Sequence, residues 1–244
     1  MKILLIIIFL LISYADISAQ SGKLFNIEHK TLTTYFNEDV KNQFKRRSTY
    51  FYEDENYIVK KTCRGEWGGS IIFKNKKTEL EYFCSATCPV AVNKIDGKYI
   101  VSTTLPHMDG DCAILQIDHP DSMAVFVLPK SENGFIPFGQ PGSSSYIGRK
   151  VLLDTGRVLI LASFPYEGKL YHITTDGEKT YVSKLENKSL VNLDPISNEP
   201  LWTFNQDSFE TIDDHYITFF RDRDGINGYL DMTGNKISVI RFWR

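Results

Sequence analysis

Residues 88–129 read CPVAVNKIDGKYIVSTTLPHMDGDCAILQIDHPDSMAVFVLP, and this stretch decides the fold. Four runs rich in apolar and β-branched residues, CPVAVN, KYIVSTT, CAILQID and MAVFVLP, are separated by KIDG, by the loop LPHMDGD and by HPDS. Short β-prone runs bounded by Gly, Asp and Pro are strands joined by tight turns. Asp-Gly is the preferred hairpin-turn pair, and it reads so at Asp96 and, within DGEK, at Asp176. The same plan of strand, turn, strand, loop, strand, turn, strand recurs in units at about 48–85, 149–186 and 208–242. Recurrence of one antiparallel meander at this spacing predicts an all-β, β-propeller-like array of four blades, or five if residues 23–47 contribute. Those residues would otherwise add an edge strand to the last blade.

Working outward, Lys2 precedes an apolar run from Ile3 to Ile12, and Ile17-Ser18-Ala19 offers a small residue before a cut ahead of Gln20. The run is too short to span a bilayer, so residues 1–19 read as a secretory signal peptide. The remaining 20–244, about 225 residues, suit a single domain with no further membrane span. Lys and Arg total 28 against 30 Asp and Glu. No basic field recruits nucleic acid. The clusters Lys45-Arg46-Arg47 and Lys74, Lys76, Lys77 read as solvated surface. Helical periodicity is nearly absent, with a short helix weighed over Asn37–Arg47. Residues 130–148 and 187–207 read as long connections, too rich in Pro, Gly, Ser and Asn for regular strands.

The phrase VAVNKIDGKYIVST followed by AILQID resembles the blade grammar of NHL and lactonase-like propellers, and the likeness extends over the four units from Ser48 to Phe242. That resemblance implies a propeller. The lactonase-like family holds a divalent metal on carboxylate and amide side chains around its channel, and that ligand set has no residue-by-residue match here, so no catalytic role carries over. WD40 signature dipeptides are absent.

In a meander, successive connections alternate between the two ends of the strands. The middle loops of all four units should therefore share one face. It would carry Arg64, Glu66 and Trp67; His107, Asp109 and Asp111; Tyr166 and Glu167; and Arg221, Asp222, Arg223 and Asp224. Long aromatic and charged loops on a rigid scaffold form the expected ligand-binding face. Trp67, Tyr166, Phe135, Phe138, Tyr146 and Trp202 offer flat apolar platforms, with closure of the core as the other reading of Trp202. His107, Asp109, Asp111, Asp222 and Asp224 are the catalytic candidates, suited to acid–base or divalent-metal chemistry with Ca or Zn. The segment Asp222-x-Asp224-Gly225-x-Asn227 departs from a calcium loop because Ile226 occupies its fifth position and no Glu stands at its twelfth. His172 lies within a strand and reads as structural. Cys63, Cys84, Cys88 and Cys112 in an exported chain predict two disulfides, with Cys63–Cys84 and Cys88–Cys112 favoured among three pairings.

These readings lead to a secreted, periplasmic or surface-held monomer that binds a glycan, peptide or envelope protein and has no resident cofactor. A metal-dependent hydrolase or lyase is the alternative, and a structural envelope component a further one.

Overall fold

The structure, a computed structural model, describes residues 23–35, 50–127, 144–203, 208–210 and 215–243. The segment 1–19, the helix weighed over Asn37–Arg47, and Phe135 and Phe138 lie outside the described residues. Strand β1 (Asn26–Tyr35) opens the described chain and joins the last sheet. The first sheet runs β2 (Tyr52–Glu53), β3 (Tyr57–Cys63), β4 (Gly69–Asn75) and β5 (Glu81–Ser85), as the first unit predicts. The second contains β6 (Pro89–Ile95), β7 (Lys98–Leu105) and β8 (Asp111–Ile117).

The chain departs from the four-unit plan after β8. MAVFVLP was expected to complete the second sheet, but among its described residues β9 (Ala124–Val125) is the strand that forms, and it pairs with β5 on the outer edge of the first sheet. The 3-10 turn Pro120–Ser122 redirects the chain, and Met123 is buried in the core between the first two sheets. The place beside β8 goes to β10 (Lys150–Gly156), whose Leu153 packs with Val90, Cys112, Ile114 and Ile160. The third sheet therefore begins one strand later than expected, as β11 (Leu159–Tyr166), β12 (Lys169–Thr175), β13 (Thr180–Glu186) and β14 (Ser189–Ser197).

Strand β14 lies in a stretch expected to be a connection. Its Pro195 sits on the sheet edge beside a register shift, where a missing N–H breaks no ladder. Asn187 and Lys188 both take positive φ, as do Asp96 and Gly97, the requirement of a two-residue type I′ hairpin. The Asp176 carboxylate accepts from the N–H groups of Glu178 and Lys179 and so caps its own turn.

The last sheet has β15 (Ser208–Glu210), β16 (Tyr216–Arg221), β17 (Asn227–Thr233) and β18 (Lys236–Trp243), with β1 parallel to β18 on its edge. The N-terminal segment thus adds an edge strand to the last sheet, one of the two outcomes anticipated for it. Core clusters join the first sheet to the second, the second to the third and the third to the last. Among the described residues, no helix is long and apolar enough to cross a membrane. Lys74 pairs with Glu79, and Lys76 with Glu53 at 2.7 Å, so both belong to a paired, solvated surface.

One disulfide forms, Cys63–Cys88, and both favoured pairings are corrected. Cys63 and Cys84 are on β3 and β5, with β4 between them; Cys88 and Cys112 are likewise separated by β7. Two strand spacings come to about 9.5 Å, beyond the roughly 7 Å Cα separation that a disulfide tolerates. Cys63 instead meets Cys88 across Gly69, whose O accepts from the Ala86 N–H at 2.9 Å. A Cβ on Gly69 would lie 2.4 Å from the Thr62 O and 2.8 Å from the Ala86 O, so this approach requires glycine. Cys84 and Cys112 are buried thiols, each pushed up to about 12, chiefly by burial.

Candidate functional site

At the turn end, the first two sheets are closed by aromatics. Tyr99 meets Phe73 at 5.0 Å and Tyr57 at 5.7 Å, and its hydroxyl donates to Asp54 at 2.6 Å. Lys94 bonds to Asp54 at 2.9 Å and Glu55 at 2.6 Å, and these bonds raise its pKa. A cavity of about 510 Å³ lies there, but its Lys76 and Lys94 are held by these carboxylates and Glu53.

At the other end the same two sheets diverge into a cleft of about 590 Å³. The β3–β4 loop contributes Arg64 and Trp67. The second sheet contributes Thr103, Asp111 and, from β10, Asp154; the segment entering β10 contributes Tyr146 and Arg149. Thr103 and Asp154 both pair with Ala113, so the three residues stand abreast on neighbouring strands. Trp67 is 75% and Tyr146 64% exposed at the cleft.

A second cleft, about 570 Å³, is lined by Met108, Leu159, Trp202, Arg221, Arg223 and Asp224, among others. The β7–β8 loop separates the two clefts: Leu105 and Asp111 line the first, and Pro106, Met108 and Gly110 the second. Trp202 is pinned by reciprocal backbone bonds to Arg221, both 2.7 Å.

The expected single face is therefore only partly assembled. Glu66 and His107 link two middle loops at 3.5 Å, and Asp109 stands 3.9 Å from Arg157. Tyr166 and Glu167 do not join them. Because the third sheet starts at β11, their hairpin becomes a first turn, at the opposite end of β11 from Leu159, which lines the second cleft. The Asp176-Gly177 turn takes the middle-loop place, with Gly177 in that cleft. Tyr166 packs on Phe25 at 5.4 Å and belongs to the last core.

Asp222 is 5% exposed and acts as a structural anchor. Its carboxylate accepts from the Ile226 N–H at 2.7 Å and faces Arg241 Nε at 3.4 Å. Arg241 also donates to Glu199 at 3.0 Å, tying the last sheet to the chain leaving β14. Among the described residues, no three His, Cys, Asp or Glu side chains gather as a metal site.

His172 hydrogen-bonds Ser163 at 2.7 Å, and Ser163 donates to Ser102 at 2.8 Å. The imidazole is 1% exposed, and burial pushes it down to about 4. A nucleophile needs access to substrate, so this Ser–His pair is part of the interior polar packing that the sequence assigns to His172.

Arg149 and Asp154 escaped the sequence reading because β10 was assigned to the third unit; only its pairing with β8 brings them to the first cleft. No protein-family model matches the chain, and comparison with curated proteins finds no match.

Proposed function

We propose that this chain is an exported, monomeric binding protein whose four sheets form a propeller-like ring and whose middle-loop end takes a glycan, peptide or envelope-protein ligand. The observation that carries this reading is the first cleft, open between two sheets and flanked by the exposed rings of Trp67 and Tyr146. Large aromatics of this kind anchor ligands when they border a concave site. Export is supported by the Lys2–Ala19 segment and by a disulfide, which persists in oxidising compartments.

The hydrolase or lyase alternative would require His107, Asp109, Asp111, Asp222 and Asp224 to act together. Asp222 is committed to Arg241 and to its own loop, while Asp111 and Asp224 line different clefts. Binding is therefore the better reading of the same residues.

The test is thermal unfolding of the chain from Gln20 onward against soluble glycans and peptides, beside a Trp67→Ala, Tyr146→Ala double variant. A ligand that raises the midpoint of the parent but not of the variant supports the proposal. Equal shifts in both would remove the first cleft as the site. A shift that requires calcium or zinc and is reversed by EDTA would favour the alternative.

A further inference from the structure

The first cleft combines features that select one ligand chemistry. Among the described residues its charged side chains are two guanidinium groups, Arg64 and Arg149, and two carboxylates, Asp111 and Asp154, whose formal charges cancel. Asp154 pairs with Ala113, two residues from Asp111 on β8, so the two carboxylates share one face of neighbouring strands. The lining also carries the hydroxyl side chains of Ser70 and Ser85 from the first sheet, Thr103 from the second, and Thr87 from the chain between them.

The aromatic groups are held in advance of any ligand. The 3-10 turn Gly65–Trp67 carries Trp67 and is closed by the Arg64 N–H donating to the Gly68 O at 2.8 Å and the Gly68 N–H to the Gly65 O at 3.0 Å. Tyr146 follows Ser145, whose N–H donates to the Ser85 hydroxyl at 3.1 Å and whose O accepts from the Ser85 N–H at 2.7 Å. The Arg149 guanidinium lies 4.4 Å from the Tyr146 ring centroid and donates to the Ser85 O. Ligand contact at these positions requires little further ordering of the backbone.

We infer that the first cleft binds an uncharged oligosaccharide; this rests on the binding reading above. A sugar ring has a C–H face that packs on an aromatic ring and a rim of hydroxyls that both donate and accept. Trp67 and Tyr146 supply the flat surfaces, Asp111 and Asp154 accept hydroxyl protons, and Arg64 and Arg149 donate to hydroxyl oxygens. Balanced charge among the described wall residues gives a polyanion or a polycation no net attraction, and hydroxyl and charged groups make up more of the wall than the apolar Leu105, Ala113, Leu115 and Val151.

The experiment is isothermal titration of the chain from Gln20 with cellohexaose, maltohexaose, mannohexaose and chitohexaose. Hexagalacturonate, a heparin hexasaccharide and a random heptapeptide library are the comparison probes. Binding of a neutral hexasaccharide is expected, weakened about tenfold or more by Trp67→Ala and by Asp154→Asn. Raising NaCl from about 0.05 to 0.5 M should change that affinity less than about twofold, because no net charge pairs across the contact. Both substitutions are on the surface, and an unchanged thermal midpoint verifies folding. If no neutral probe binds, the inference is overturned. The binding reading survives in that case if an acidic glycan or a peptide binds and Trp67→Ala abolishes it. A neutral glycan bound equally by the parent, Trp67→Ala and Asp154→Asn overturns both.

Discussion

The junction of the first two sheets and the junction of the last two are built from similar meanders and end differently. Between the last two, Phe25 enters ahead of β1, is fully buried, and packs on Phe164 at 5.5 Å and Tyr171 at 5.0 Å, while its N–H donates to Asp194. Arg241 then joins Asp222 to Glu199. Between the first two, aromatics close the turn end, and at the other end the described residues line a cleft with mixed, largely polar walls. Carboxylates thus divide by how they are tied: Asp222 borders the second cleft but is held across its junction by Arg241 and by the Ile226 N–H, whereas Asp154 lines the first cleft. A carboxylate beside a cleft is withdrawn from a ligand where a guanidinium or its own loop N–H already holds it.

The largest effect should come from breaking the closed junction. Arg241→Ala leaves the buried Asp222 carboxylate uncompensated and should cost about 3–5 kcal/mol in urea unfolding. Adding Asp222→Asn to that variant should recover part of the loss, and strict additivity would deny the coupling. At the open junction, Cys63→Ser with Cys88→Ser releases a 25-residue separation and should cost about 3.5 kcal/mol by chain entropy. Gly69→Ala should also destabilise this junction, since its Cβ meets two backbone oxygens.

His172 lies between these regions and should make stability pH-dependent. Its pKa falls from 6.5 to about 4 on folding, so the unfolded chain binds the proton more tightly. The contribution is complete above the unfolded value and is lost as pH falls from about 6.5 to 4, in all roughly 3 kcal/mol. Unfolding titrations of His172→Gln across that window should lack this component of the acid slope. Buried Cys84 and Cys112 should resist iodoacetamide at pH 8 in the native protein and react once it is unfolded. The smallest stability effect is expected at the cleft, where Trp67→Ala should stay within about 0.5 kcal/mol of the parent. A larger loss would mean that Trp67 supports the fold rather than standing free at the first cleft.

Much of the scaffold was legible in the sequence. Alternation of apolar residues and Asp-Gly punctuation gave the strands of the first sheet, the turns at Asp96 and Asp176, and the meander of the last sheet. Trp67 and Arg64 were found as candidates because they interrupt a strand pattern with a long loop. Arg149 and Asp154 were missed because nothing local in RKVLLD reports which sheet edge it will join.

By itself, the sequence determined an all-β chain of short antiparallel strands with most of their positions. Periodicity of side chains sets which residues can share a buried face, and turn chemistry sets where the chain reverses. Tertiary structure decided the neighbours: β9 with the first sheet, β10 with the second, β1 beside β18, and Cys63 with Cys88. Those choices then moved Tyr166 away from the middle-loop end and brought Asp154 to the cleft. The physical reason is that pairing at a sheet edge uses backbone groups common to every residue. Its partner is selected by distant packing, such as the burial of Leu153 against Ile114 and Ile160.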